Sequence, residues 1–376
     1  MLYVPHKHLY ISGTSYISAD EPDYKEVITD ANSRRRMGRL LKMAVWCGLK
    51  SLDGVPSERV AGIITSTGAG FMKDTISFGS SIFDREETLL NPSPFMQSTF
   101  NTASGYIALI RKIHAYNTTY VQRADGFAAS LVDAAMLLDD AGEGNVALVG
   151  AFDEVTPEVD VIRQRLDLYR VGDGFLPLGE GAAAFLLSAA MPTDGSESCP
   201  ATEMSAGPGG DDGSESDSGQ EGDEARSESA SERGGDEAGS ESASERGGDE
   251  AGSEAASERG DESGSESSSE PLHESGGTSS RSLNGTKDGN AALRFCGLAN
   301  LSDLPKCAEN PIAELFGINA GVNVISCADH VESLGAFRSL LPVLLCKLIS
   351  EQKIPDGYTA IVDDVNEDGV IVLLHK

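Results

Sequence analysis

Short apolar runs without polar–apolar alternation place the tightest limit on what this chain can fold into. "VAGIITST" (residues 60–67), "NVALVGAFD" (145–153) and "GAAAFLLSA" (181–189) read as strands buried on both faces, which requires a sheet covered by helices on each side. Helical periodicity fills the gaps between them. "SRRRMGRLLKMAVWCGLKSL" (33–52) opens on Ser33 as an N-cap and repeats Met37, Leu40, Leu41, Ala44, Val45 and Leu49 at helical spacing. "SGYIALIRKIHAY" (104–116) and "GFAASLVDAAMLLDD" (126–140) are two further helices, and "LYISGTSYI" (9–17) and "TTYVQ" (118–122) two further strands. Past residue 290 the alternation resumes with "ALRFCGLAN", "GVNVIS", the helical "HVESLGAFRSLLPVLLCKLISEQ", "YTAIVDD" and "GVIVLLHK". The pattern predicts an α/β fold in two halves.

Between the halves lies a stretch of a different kind. Residues 195–270 hold 23 Asp and Glu against 4 Arg, so most of the chain's net charge of −31 sits there. "SERGGDEAGSESA" starts at Ser231 and recurs in altered form at Ser244 and Ser257. Such a segment has almost no apolar surface to offset its ordering entropy, so composition predicts a disordered acidic insert over 191–290. The expected domains are an N-terminal half (1–190), the insert, and a shortened C-terminal half (291–376). The folded part is only mildly acidic, which argues against nucleic acid as a partner.

The six cysteines, Cys47, Cys199, Cys296, Cys307, Cys327 and Cys346, form no CxxC or CxxH pair, and no metal site is expected. Cys47 and Cys346 fall in apolar helical patterns and read as buried thiols. No signal-peptide pattern opens the sequence and no apolar run is long enough to span a bilayer, so the expected location is cytoplasmic.

Several segments together resemble the β-ketoacyl-acyl carrier protein synthases. "DGFLPLGEGAAAFLLS" (173–188) resembles that family's "DGF…GEGAG…L" stretch, with one extra residue between Phe175 and Gly179. Gly179 and Gly181 there would let backbone approach backbone. "NPSPFMQSTFNTASGYIAL" resembles the segment that leads into the helix at the family's dimer interface. "NVALVGAFDEVT" resembles its "D…ALAGG" strand, and "SCADHVESLGAFRSLL" (326–341) its "SNIGHTEAAAGVAGL" segment. More closely, "IITSTGAGFMKDT" with "NPSPFMQST" and "TYV" is similar to the ketosynthase-like group found beside aryl polyene and resorcinol pathways of fatty acid and polyketide type. The resemblance implies a thiolase-like fold, two βαβαβ halves in a layered α-β-α-β-α arrangement. It also implies a Cys-His-His site in which the Cys takes an acyl chain from the phosphopantetheine arm of an acyl carrier protein, with no other cofactor.

The chain departs from that site. Strand 118–122 runs into an elbow before the helix at Gly126, where a nucleophile is exposed beside a helix N-terminus in many α/β enzymes. The resemblance places the nucleophile at Ala124 or Asp125, and neither can form a thiolate. Ser104 in "NTAS" imitates the family's "TAC" but lies about twenty residues too early. The first His of the family is missing; "ENPIAELFG" (309–317) stands as its remnant. His330 matches the second His and is the one catalytic candidate, weighed against a helix-capping role; Ile325 and Asp329 replace the Lys and Gly usual before it.

Three other groups carry local readings. Arg34, Arg35, Arg36 and Arg39 are either a docking patch for an acidic carrier protein or a solvated helix face. "TSTGAG" (65–70) is either a phosphate cradle or plain turn chemistry, the turn being favoured without a Lys or G-x-G-x-x-G spacing. Asp153 and Glu154 are adjacent carboxylates that point to opposite faces of a strand. Two functional readings stay open: a non-condensing subunit like the chain-length factors that form a dimer with an active ketosynthase, or an acyltransferase or decarboxylase that uses His330 without a Cys nucleophile.

Overall fold

The structure, a computed structural model, describes residues 1–18, 20–122, 126–142, 144–189, 292–366 and 369–376, and the backbone of 280–281. The acidic repeats, and the expectation of disorder attached to them, lie outside the described residues. In the N-terminal half the main elements are β1 (Leu9–Ile17), α1 (Arg39–Ser51), β2 (Val60–Thr67), α2 (Met72–Asp84), α3 (Thr102–Arg111), β3 (Tyr116–Val121), α4 (Gly126–Asp140), β4 (Val146–Asp153), α5 (Pro157–Arg165) and β5 (Gly181–Ala189). The C-terminal half supplies β6 (Arg294–Asn300), β7 (Val322–Ser326), α6 (Val331–Leu334), α7 (Leu340–Ser350), β8 (Tyr358–Val362) and β9 (Val370–His375).

The halves repeat one design. The N-terminal strands lie in the order β3-β2-β4-β5-β1, and the C-terminal strands in the order β7-β8-β9-β6. Moving outward from the first strand of each half, the pairings are antiparallel, antiparallel, then parallel in both. The N-terminal half adds β3, parallel to β2; among the described residues the C-terminal half has no counterpart to it. A short ladder, Tyr10 to Arg294 and Leu9 to Phe295, stitches β1 to β6.

Side-chain alternation along single strands reveals the layers. On β5, Ala182, Ala184 and Leu186 join α1 and α3 in one apolar cluster, while Ala183, Phe185 and Leu187 face a second. That second cluster contains both α4 (Phe127, Leu131) and α7 (Leu340, Leu344), with Val372 and Leu374 of β9 on its far side. The opposite face of β9, Ile371 and Leu373, enters a third cluster with Ile312 and Phe316. Three apolar layers separated by two strand layers are the α-β-α-β-α arrangement of the thiolase-like fold. Each fully buried Leu or Phe of the central layer contributes about 1.5–3 kcal/mol relative to exposure. This is why runs such as "ALVGAF" carry no polar residues.

Two helices are shorter than the periodicity predicts. The expected helix from Ser33 is broken at Met37, whose extended backbone (φ −71°, ψ 132°) ends a short helix Ala31–Arg36 before α1 begins. Asp30, not Ser33, is the cap: its carboxylate accepts the Ser33 N–H at 2.7 Å. The long helix expected from residue 330 is interrupted by Gly335, at φ +78°. The resulting loop, 335–339, joins the two halves at the site described next.

Candidate functional site

The parallel strands β2, β3 and β4 all end on one side of the sheet, the location at which α/β folds gather functional groups. There β4 ends in Asp153, which is fully buried in its half of the fold. Its Oδ1 accepts the backbone N–H groups of Gly68 (2.8 Å) and Ala69 (3.2 Å) and the Thr67 hydroxyl (3.1 Å). Its Oδ2 accepts the Ser339 hydroxyl at 2.5 Å, from just ahead of α7 in the other half. Burial pushes the Asp153 carboxyl above its ordinary range, with these four donors opposing the shift. The "TSTGAG" turn therefore does bind an anion, and that anion is the chain's own carboxylate. A free phosphate is excluded from those two amides.

The C-terminal half has a matching carboxylate. Asp363 follows β8 as the last residue of β4 ends that strand, and it is also buried. It accepts the N–H of Asn366 at 3.1 Å and the Asn366 amide at 2.7 Å, and burial raises it as well. Asn366 takes the Tyr169 hydroxyl at 2.9 Å and gives a bond to the carbonyl of Phe337 at 3.4 Å. Residues 337–339 thus touch both strand-end networks.

The same loop is pinned by glycines. A Cβ on Gly179 would stand 2.0 Å from the Leu334 carbonyl oxygen, and one on Gly335 would stand 2.3 Å from the Gly179 nitrogen. Ala336 donates to the Pro177 carbonyl at 2.7 Å, and Gly179 to the Ala336 carbonyl at 3.2 Å. Gly181 meets the Ile17 carbonyl in the same manner, at 2.7 Å. The close approach expected of Gly179 and Gly181 is present; Gly335 as partner to Gly179 was not foreseen.

His330 lies on the same loop system, nine residues before Ser339. It closes a 3-10 turn, Ala328–His330, and occupies the N-cap position of α6 without a side-chain cap bond. The ring is half-buried. Its backbone N–H bonds to the Cys327 carbonyl at 3.0 Å, and its carbonyl accepts the Ser333 hydroxyl at 3.0 Å. α6 spans four residues, so the dipole beneath the ring is small. The structure does not bring His330 into hydrogen bonding with Asp153, Glu154 or Ser104.

Ala124 and Asp125 lie outside the described residues. Ser104 is fully buried within α3, where its hydroxyl donates to the Asn101 carbonyl (3.0 Å) and approaches the Thr119 hydroxyl (3.2 Å), contacts that serve packing. Cys47, Cys327 and Cys346 are buried and their thiols are pushed up by that burial. Cys296 is half-buried and Cys307 is exposed. The segment 309–317 forms a short helix, Pro311–Leu315, whose Ile312 and Ala313 are buried. Among the described residues no group of three or more His, Cys, Asp or Glu is placed to hold a metal ion, and no helix is long and apolar enough to cross a membrane.

The arginines of the suspected docking patch are largely committed within the chain. Arg39 pairs with Glu21 and, at 2.7 Å, with Glu180. Arg34 donates to the carbonyls of Ile28 and Thr29, and Arg35 to Ala31 and Asn32. Arg36 alone of the four extends from an exposed position with no such bond described.

Comparison with known proteins agrees with the fold. Residues 14–169 match the family model of the β-ketoacyl synthase N-terminal domain. No curated protein matches the sequence. Among solved structures, the ishigamide ketosynthase/chain length factor is 13% identical, with a TM-score of 0.55 over 98% of this chain and 99% of that one. A type II polyketide synthase acyl-carrier protein in complex with its ketosynthase bound to the hexaketide gives 13% identity and a TM-score of 0.52, again over 98% and 99%. At these identities the likeness establishes the thiolase-like ketosynthase fold.

Proposed function

We propose that this β-ketoacyl synthase-like chain is a non-condensing subunit of a fatty acid or polyketide pathway, comparable to a chain-length factor, and that it works as a heterodimer with an active ketosynthase and an acyl carrier protein. What carries the reading is the pairing of a thiolase-like ketosynthase fold with a sequence that has Ala124 or Asp125, and no Cys, where the resemblance places the nucleophile. No described thiol replaces the missing one: three are buried and pushed up, and Cys296 and Cys307 belong to neither strand-end network. One of the structures of the same fold is itself a ketosynthase/chain length factor assembly.

The surface for a partner is the open side of β3. Within the described chain β3 is the last strand of its half and pairs only with β2. Such an edge, uncovered, invites unspecific pairing. Beside it stand the exposed apolar side chains of Leu109, Ile110, Tyr116, Val121 and Met136. Asp133 receives the Tyr116 hydroxyl at 3.0 Å, and burial together with the charge of this carboxylate pushes Tyr120 up to about 12. Tyr116 is thereby held in place at the edge.

Tyr120→Pro removes a backbone donor from the strand. The expected result is a co-expressed heterodimer weakened at least tenfold in Kd, with the helical signal of the chain retained. Size-exclusion chromatography at micromolar concentration measures it. Clean monomeric elution of the unmodified pair rules the interface out.

A further inference from the structure

The two strand-end networks leave one basic side chain under-used. Arg338, half-buried between Phe337 and Ser339, lays its stem across the turn at residues 67–70: a Cβ on Gly68 would stand 2.3 Å from its Cγ. Its guanidinium lies over the Tyr169 ring, with Cζ 5.7 Å from the centroid. A guanidinium carries five N–H donors. Among the described residues this one makes a single long hydrogen bond, 3.4 Å to Asn366 Oδ1, and forms no ion pair. That oxygen already accepts the Tyr169 hydroxyl at 2.9 Å. Asp153 is taken up by its four donors and Asp363 by Asn366. A cation partly withdrawn from water with most of its donors open is costly unless something else fills them.

The seat of Arg338 is strained, and it adjoins a cleft. Tyr169 has φ +59° and Asp167, two residues before it, φ +53°, in the left-handed region that favours glycine. The Tyr169 carbonyl accepts the Leu176 N–H at 2.9 Å, and Leu178 bridges to Ala336, two residues ahead of Arg338. Leu176 and Leu178 also line a cleft of about 560 Å³ against α5, together with Val155, Pro157, Phe175 and Pro177. That volume is of the size of small-molecule sites. The polar groups of the cleft are used within the chain. Arg163 donates twice to Asp160 and once to the Leu176 carbonyl, and its guanidinium lies 4.6 Å over the Phe175 ring. Asp160 also accepts the Gln164 amide at 2.9 Å, and Thr156 accepts the Val159 N–H at 3.2 Å. The cleft therefore offers apolar surface, and the open donors stand beside it in Arg338.

We propose that Arg338 and this cleft together bind a small carboxylic acid with an apolar tail, the tail lying against Val155, Phe175 and Leu178 and the carboxylate taken by the guanidinium. The planar fork of an arginine matches a carboxylate through two parallel hydrogen bonds. The tail is recognised by the apolar area it buries, and the charge supplies the selectivity. Such a ligand is a free acid. The thioester of an acyl carrier has no charge at its carbonyl and leaves the fork of Arg338 unmatched. The site lies within this one chain and needs neither a nucleophile nor a partner subunit.

Isothermal titration of the full-length chain with octanoate tests this, with octanamide as its uncharged counterpart and acetate and inorganic phosphate as anions without a tail. Octanoate is expected to bind at least about tenfold more tightly than any of the three. Arg338→Gln is expected to weaken octanoate by about tenfold or more and to leave octanamide unchanged, a split that a merely structural role would not produce. Arg338→Lys keeps the charge but not the fork. It is expected to weaken octanoate by a smaller factor, and it carries the comparison if the Gln variant fails to fold. Val155→Asp is expected to weaken octanoate and octanamide together. Absence of octanoate binding overturns the proposal, as do equal affinities for octanoate and octanamide, or for octanoate and phosphate. An octanoate affinity unchanged in the folded Arg338 variants, or in Val155→Asp, also overturns it.

Discussion

Asp153→Ala is expected to destabilise the folded chain by about 2–4 kcal/mol, because it leaves two part-buried backbone N–H groups without their acceptor. The amides of Gly68 and Ala69 both point at Oδ1, while the Gly70 amide is served by the Thr67 hydroxyl. The hydroxyls of Thr67 and Ser339 lose their partner as well, although a hydroxyl can rotate toward another. Asp153→Asn makes the contrast. Its amide oxygen can serve Gly68, Ala69 and Thr67, and its NH2 can donate to the Ser339 oxygen, so a loss of about 1 kcal/mol or less is expected. Urea midpoints at constant slope measure both. Equal losses for the two variants would show that the hydrogen bonds at this carboxylate do not hold the halves together.

The second large effect is steric. Gly335→Val is expected to cost about 3 kcal/mol or more, combining a backbone conformation at φ +78° that a β-branched residue resists with a collision at the Gly179 nitrogen. The atoms in the way are backbone, so no side chain can move aside. Gly321→Ala is the control: nothing lies within 4 Å of its missing Cβ, and a change of a few tenths of a kcal/mol is expected. If Gly335→Val folds with unchanged stability, the contact between the 177–179 segment and the 334–336 loop is not required.

How much of this was readable beforehand depends on the range of the interaction. An α/β fold with a sheet covered on both faces followed from local pattern, because a strand packed on both faces must be apolar at every position, as β4 and β5 are; the layered arrangement followed from the family resemblance. Buried Cys47 and Cys346 followed from local pattern as well. The partner of Asp153 could not be read, since Ser339 is 186 residues away and a serine ahead of a helix announces only a cap. The turn at residues 67–70 was recognisable as a turn, yet nothing local shows that its amides are filled by the protein itself. The helix break at Gly335 was missed because the periodicity of Leu334, Leu340 and Leu341 continues across it. The reason for the break is the Gly179 backbone, far off in sequence. The committed state of Arg39 likewise depends on Glu180, which only the fold brings close.

The central claim is that the chain supports condensation without performing it. Condensation can be measured by mass on the phosphopantetheine arm of an acyl carrier protein supplied with malonyl groups. The assay is run with this chain alone, and with it co-purified with a ketosynthase that has an intact Cys-His-His site. The account predicts no β-ketoacyl product and no acyl thioester on any of its six Cys when the chain is alone, and product when the heterodimer is present. A β-ketoacyl product formed by the chain alone, or an acyl thioester trapped on one of its own cysteines, would contradict it.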